Sequence, residues 1–349
     1  MTDLVTGLDL GGAHLKAAQV DGTGRVVAAL QVPCALWLGL DRLGHALSEV
    51  RARLRPSPRI ALTMTGELAD LFPDRPCGVA ALVRAADTVW PQAELLVWAG
   101  CLGFVTPAEA VGRAAGVASA NWLATGYLAA HRLGEGLLID VGSTTTDLLV
   151  LAGGTPRPAG LTDRERLASG ELVYLGLTRT PVMALAAEVP FRGQRVGVMN
   201  ELFATAADVH RLLGQLPEDA DQHPAADRGP KTIEASARRL ARMVGADLAD
   251  GDMADWCRLA AWLAQMQLRR IEDAMALQCS RSLIGAAAPV IGAGCGQFLV
   301  GRLAGASGRP YRDFAGLITA EPDAAGRTAM CAPAVAVALL LHGVDRALG

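Results

Sequence analysis

Two segments 131 residues apart carry one layout. Leu8–Asp21 reads LDLGGAHLKAAQVD, and Leu138–Leu151 reads LIDVGSTTTDLLVL. Each is an apolar run bearing an aspartate, a break at glycine, and a second apolar run that opens on polar residues. Laid over each other, Asp9 falls on Asp140, Gly11 on Gly142 and Lys16 on Asp147. Glycine weakens a strand interior, and its use there is to let another backbone or a ligand approach closely. A repeated strand–turn–strand of this kind, with strands first and helices after it both times, points to an internal duplication in an α/β chain.

The rest of the chain fits two halves. Its 349 residues suggest roughly two domains at about 150 residues each. The offset predicts one domain over residues 1–131, completed by a C-terminal helix over 326–349. The other covers 132–325 and includes a helical insertion at about 201–285. Within the first, residues 4–32 read as two strands joined at Gly11-Gly12, with a further turn at 21–25. A helix is expected over 40–54, a strand running into a turn over 59–68, and a strand over 94–100. Residues 119–133 read as a helix with Ser119 or Asn121 as N-cap. The second hairpin spans 137–151. Residues 201–213 and 231–285 read as mostly helical, and 214–231 as a long polar loop, either solvated or a lid. Residues 288–304 read as strand, glycine-rich turn and helix.

Half the residues are apolar (51%) and 19% are charged, which suits buried cores and not disorder. The formal charge of -3 argues against a nucleic-acid partner. The seven cysteines form no C-x-x-C pair, so neither a zinc site nor a disulfide framework is indicated, and free thiols fit a reducing cytosol. No apolar run reaches the roughly 18 residues of a membrane span, and no signal sequence is read at the start. The expectation is a cytoplasmic protein with no membrane and no nucleic-acid partner.

Three glycine turns carry the chemistry. Backbone N–H groups of a small-residue turn can converge on an anion. Gly11 and Gly12 with His14 form one such turn; Gly142, Ser143, Thr144 and Thr145 form another. Asp9 and Asp140 are placed to hold Mg²⁺ that bridges to phosphate, usually through water. Lys16 offers a point charge. Two such hairpins facing each other would clamp one polyphosphate. The third turn, Gly292 to Gly296 with Gly294 at its centre, follows a strand and opens a helix, which suits anion binding at a helix N-terminus. Each has a plainer reading: an ordinary tight hairpin for a lone D-x-G-G, a structural histidine for His14, an exposed turn carboxylate for Glu67 in TMTGEL, a surface arginine for Arg179 in TRTP. A dinucleotide fingerprint at GAGCG lacks the βαβ frame it needs.

Together the three turns resemble the phosphate-1, phosphate-2 and adenosine motifs of the sugar kinase, actin and chaperone ATPase superfamily. That resemblance implies two duplicated RNase H-like domains with ligands in a central cleft. Longer stretches (GLDLGGAHLKAA, TMTGELADLF, FPDRPCGVAA, SANWLA, DVGSTTTDLL, TDRERLASGELVYLGLTRTPV, ADVHRLLGQLPE and ARRLARMVGAD) resemble the hydantoinase/oxoprolinase-related family of tetrahydromethanopterin-linked one-carbon pathways. This resemblance implies a transferase of methanofuran or methylofuran biosynthesis. An aminomethylfuran-methyl diphosphate would condense with the phenol oxygen of tyrosine or a glutamyl-tyramine-type acceptor and release diphosphate. The leaving group would be neutralised by Mg²⁺ with Lys16 or Arg179. The phenol, with an ordinary pKa near 10, needs a base, and Asp9, Asp140 and Glu67 stand in position. A nucleotide is not expected. The motifs alone also allow an ATP-dependent small-molecule kinase or a hydantoinase/oxoprolinase-type enzyme. A nucleotide-dependent scaffold protein would need a separate substrate-binding domain, for which the length leaves little room.

Overall fold

The structure is a computed structural model that describes the backbone of residues 4–348 and the side chains of residues 4–343. The first strands and helices run β1 Val5–Leu10, β2 His14–Val20, β3 Val26–Pro33, α1 Leu40–Arg53, β4 Arg59–Met64, α2 Arg75–Val89 and β5 Glu94–Trp98. Next come β6 Phe104–Val105, α3 Pro107–Gly112, α4 Ala114–Val117, α5 Asn121–Leu133, β7 Gly136–Val141, β8 Thr146–Ala152, β9 Thr155–Pro156, α6 Asp163–Ser169 and β10 Leu172–Val173. A hairpin follows, β11 Glu188–Phe191 with β12 Gln194–Gly197, and then α7 Ala206–Leu212, α8 Ile233–Met243 and α9 Met253–Ser280. The chain closes with β13 Val290–Ala293, α10 Gln297–Ser307, β14 Tyr311–Asp313, α11 Pro322–Ala325 and α12 Ala332–Leu348.

Both long sheets use one strand order. The first runs β3-β2-β1-β4-β5-β6, and the second runs β10-β8-β7-β13-β14 with β9 beside β8. In each, the third, second and first strands of the unit lie side by side, and the fourth and fifth continue past the first. In the first sheet β1, β2 and β3 are antiparallel neighbours, while β4 and β5 run parallel to β1. The duplication expected from the two hairpins is therefore present in the topology. β1 and β7 occupy matching central places, and all six residues of each are buried. Continuous apolar runs of this kind belong to strands covered on both faces.

The chain divides into two compact units, residues 1–138 with 149–165 and 312–349, and residues 139–148 with 166–311. In the first, α12 packs on β1, β2 and β4, and the apolar residues of β1, β4, α1 and α2 form one core. α2 starts where sequence chemistry dictates: the Asp74 carboxylate accepts from Cys77 N at 2.8 Å, and Pro76 fills the first turn. The second unit has its own core around Trp256 of α9, which stacks on Phe191 of β11 at 4.8 Å between ring centroids.

The N-cap expected at Ser119 or Asn121 is not formed. Ala120 holds that place, with no side-chain cap. The Ser119 hydroxyl is engaged elsewhere, as described below. The polar segment 214–231 is pinned down instead of ranging freely. Arg211 of α7 bonds Asp221, and the fully buried Arg239 of α8 bonds Asp227 at 3.1 Å and Pro230 O at 3.1 Å. Among the described residues, no helix is long and apolar enough to cross a membrane.

Candidate functional site

In the first unit the chemistry gathers at the carboxyl ends of β1 and β4. Gly11 N donates to His14 O at 3.0 Å and closes the turn between β1 and β2. Lys16 of β2 stands directly opposite Asp9 of β1, and Thr63 of β4 is Asp9's register partner on the other side. Side chains in such a rung share one face of the sheet. Asp9 is 4% exposed, Thr63 is fully buried, and Thr63 Oγ1 makes no hydrogen bond among the described residues. His14, two residues before Lys16, lies on the same face and is also buried. The buried Cys331 thiol is pushed up to about 12, chiefly by burial, with smaller electrostatic effects from Lys16, Asp9 and Arg327.

The turn after β4 packs directly on the Gly11 turn. Thr65 N donates to Leu10 O at 3.0 Å, and a Cβ on Gly66 would fall 3.1 Å from Leu10 O and 3.4 Å from Gly11 C. Glu67 follows on a short 3-10 turn and is 1% exposed. The exposed turn carboxylate considered from sequence is therefore a buried one, because α2 is laid across it. Gly78 of α2 is the point of contact, where a Cβ would stand 2.8 Å from Glu67 Cα.

Two residues far away in sequence, Ser119 and Asp163, complete this cluster together with Arg75 at the start of α2. Ser119 Oγ lies 2.8 Å from Glu67 Oε1 and 3.2 Å from Asp163 Oδ2. Arg75 Nη2 donates to the same Asp163 oxygen at 2.5 Å. Glu67 Oε2 is buried without a hydrogen bond. Burial raises the Glu67 pKa above its ordinary value; the Ser119 hydroxyl, Glu67's own backbone N–H and the Arg75 charge oppose that, and Asp163 adds to it. Sequence reasoning selected Glu67 but not Ser119, Asp163 or Arg75 as its partners. The contacts span 52, 44 and 88 residues, and no local spacing encodes them.

The second unit repeats the turn. Gly142 N donates to Thr145 O at 2.9 Å, the same three-residue step that links Gly11 to His14. The segment after β10 wraps this turn. Leu177 N bonds Gly142 O, while Thr178 N and Arg179 N both bond Ser143 O, at 2.9, 3.1 and 2.9 Å. A Cβ on Gly176 would overlap the Ser143–Thr144 peptide, so the wrap lies against the turn. Arg179 thus reaches the Ser143 turn through its backbone. Its half-buried guanidinium is held below its ordinary pKa by burial, with Tyr174 opposing. Asp140, 8% exposed, faces Gly294. Gly294 has φ +82°, and a Cβ there would overlap Val141 O and Asp140 Oδ1. Gly296 N donates to Val141 O at 2.9 Å. Gly292 lies inside β13, and the Tyr311 ring covers the place of its missing side chain. Asp147, the counterpart of Lys16, bonds the buried Arg166 at 2.7 Å.

Two units with one strand order and one glycine turn define an α/β protein of duplicated RNase H-like domains, the sugar kinase, actin and chaperone ATPase type. A nucleotide-free structure of acetone carboxylase shares the fold, with a TM-score of 0.55 at 11% identity over 95% of this chain and 70% of that one. A glucokinase of the ROK family from Streptomyces griseus, in complex with glucose and AMPPNP, aligns with a TM-score of 0.46 at 15% identity over 96% of this chain and 98% of that one. The chain belongs to the hydantoinase/oxoprolinase family, whose profile matches residues 59–310. A relative in Methanocaldococcus jannaschii is 30% identical over 248 residues, 71% of this chain and 73% of that protein. It is the (4-{4-[2-(gamma-L-glutamylamino)ethyl]phenoxymethyl}furan-2-yl)methanamine synthase.

Proposed function

We propose that this protein forms an aryl ether in methanofuran or methylofuran biosynthesis. The phenol oxygen of tyrosine or a glutamyl-tyramine-type acceptor attacks the methylene of an aminomethylfuran-methyl diphosphate, and diphosphate leaves. The relative's product name supports the bond, since a phenoxymethyl group on a furan is an aryl ether at a furan methylene. The observation that carries the reading to this chain is Glu67. It is a buried carboxylate with one oxygen free of hydrogen bonds, packed beside the Gly11-Gly12 turn at the carboxyl end of β1.

A phenol with a pKa near 10 is a weak nucleophile at neutral pH until a base takes its proton. Burial makes Glu67 a stronger base than an ordinary carboxylate. Its unoccupied Oε2 is the atom that accepts the proton. The phenol O–H bond breaks as the new C–O bond forms, and the electron pair of the breaking C–O bond goes to the diphosphate. Lys16 or Arg179 is the cation that would meet that departing charge. Backbone N–H groups of the Gly11-Gly12 turn or of the Gly142–Thr145 turn would supply further donors to it.

The carboxylates suit a metal that keeps its own water. Among the described residues, no three His, Cys, Asp or Glu side chains gather as a metal cage. A single carboxylate at each turn matches Mg²⁺ shared with substrate phosphates. Asp9 or Asp140 would hold the ion, whose contribution when bound would be to neutralise the leaving group.

The test is direct. The pure protein is incubated with Mg²⁺, the preformed furfuryl diphosphate and a phenol acceptor, with no nucleotide, and the ether is sought by mass spectrometry. Ether and diphosphate in equal amounts are expected. A requirement for ATP, with ADP appearing in step with product, would replace this reading by an ATP-dependent one.

A further inference from the structure

We propose that Ser119 is a positioning residue for this reaction: its single hydroxyl proton serves Glu67 before proton uptake and Asp163 afterwards. The inference rests on the reading of Glu67 as the base. A serine hydroxyl carries one proton. Here it stands within hydrogen-bonding distance of two carboxylates, Glu67 Oε1 at 2.8 Å and Asp163 Oδ2 at 3.2 Å. It can donate to only one of them at a time.

The surroundings decide which. Asp163 already has a donor in Arg75, at 2.5 Å. Among the described residues Glu67 takes no hydrogen bond from a lysine or arginine, and it lies deeper, 1% exposed against 16% for the Asp163 side chain. While Glu67 is ionised, the hydroxyl donates to it, across the shorter distance. Once the phenol proton sits on Glu67 Oε2, Glu67 is neutral and Asp163 is the only anion left beside the hydroxyl. The O–H then rotates to Asp163. No covalent bond of Ser119 breaks, and the only proton transferred is the phenol's. Rotation of one hydroxyl keeps the buried anion satisfied in both states, which matters because an unpaired buried charge is costly.

The backbone at Ser119 supports a built arrangement. Its φ is +50°, a left-handed value uncommon for a residue other than glycine. Strain of this kind persists where surrounding structure holds it in place, and it collects at functional sites. A glycine at 119 would be more comfortable but would bring no hydroxyl.

The charged groups that act on Glu67 are Arg75 of α2 and Asp163 of α6. This gives the arrangement a signature of two opposite signs. Ser119 stabilises the ionised base, so Ser119→Gly moves the acid limb of the kcat/KM pH profile to higher pH. Asp163 disfavours the ionised base, so Asp163→Asn moves that limb to lower pH. Ser119→Gly relieves the strained φ, so its melting temperature stays level or rises while kcat/KM at neutral pH falls about ten-fold, the size of one hydrogen bond to a charged group. Ser119→Ala, which keeps the strain, should show the same limb shift.

The experiment is the set of pH profiles, joined to infrared titration of the protonated carboxyl band that Glu67→Gln removes. Opposite limb shifts in the two variants support the sharing. Shifts of one sign, or none, overturn it even if Glu67 is the base. If Glu67→Gln keeps full activity, the base reading falls. The infrared titration still decides the sharing in that case, because it follows Glu67 protonation without turnover.

Discussion

Gly294 stands where any side chain would collide with the Asp140 carboxylate. Its φ of +82° already requires glycine, and a Cβ would overlap both Asp140 Oδ1 and Val141 O. Gly294→Ala should therefore lose about 1–3 kcal/mol of stability and nearly all activity. Gly301, inside α10 with open space around it, is the control. Gly301→Ala should be neutral or gain up to about 1 kcal/mol. Thermal melts and turnover of the two variants check the contrast. Equal behaviour would show that the close approach to Asp140 is tolerated.

Asp9→Asn and Asp140→Asn should each give a folded protein with little turnover. Removing a group that holds charge at the leaving oxygen typically costs a few kcal/mol in the transition state. Asp9 is buried in a rung between Lys16 and Thr63, so its loss also removes the carboxylate opposite Lys16. Near-normal kcat at saturating Mg²⁺ in both variants would mean that neither carboxylate serves the diphosphate.

Glu67 should make stability fall as pH rises. Its pKa in the folded protein lies above the ordinary value of 4.5 because burial disfavours the charged form. Between 4.5 and that higher value the folded state holds more protons than the unfolded one, so ΔG of unfolding drops with rising pH. Glu67→Gln removes this loss. It should melt higher than the parent at neutral pH and lose that advantage below pH 4.5. A constant difference in melting temperature across the range would contradict the burial argument.

Arg239 tests the pinned segment. It is fully buried, donates to Asp208 at 2.7 Å and holds Asp227 and Pro230 O of the 214–231 segment. Asp208 is 2% exposed and also takes Ser236 Oγ at 2.8 Å. Arg239→Leu leaves a buried carboxylate short of its main partner, which costs about 3–5 kcal/mol. Limited proteolysis should then cut within 214–231 at protease levels that spare the parent. An unchanged digestion pattern would show that Arg211 and Lys231, which also hold Asp221, suffice.

Much of this was legible in the chain itself. The apolar runs around Asp9 and Asp140 and their glycine breaks gave the duplicated sheets, because period and turn chemistry are local properties of sequence. The Gly11–His14 and Gly142–Thr145 turns fall in matching places for that reason. Glu67 could be chosen as a turn carboxylate, but its burial could not be read, since α2 covers it from elsewhere in the chain. Ser119 looked like a helix cap, the usual local role of a serine before a helix. Only the tertiary structure turned its hydroxyl to Glu67 and Asp163, with Arg75 behind them. Which distant charges share one buried hydroxyl is decided by packing between elements, and hydrophobic pattern sets the elements without setting those pairings.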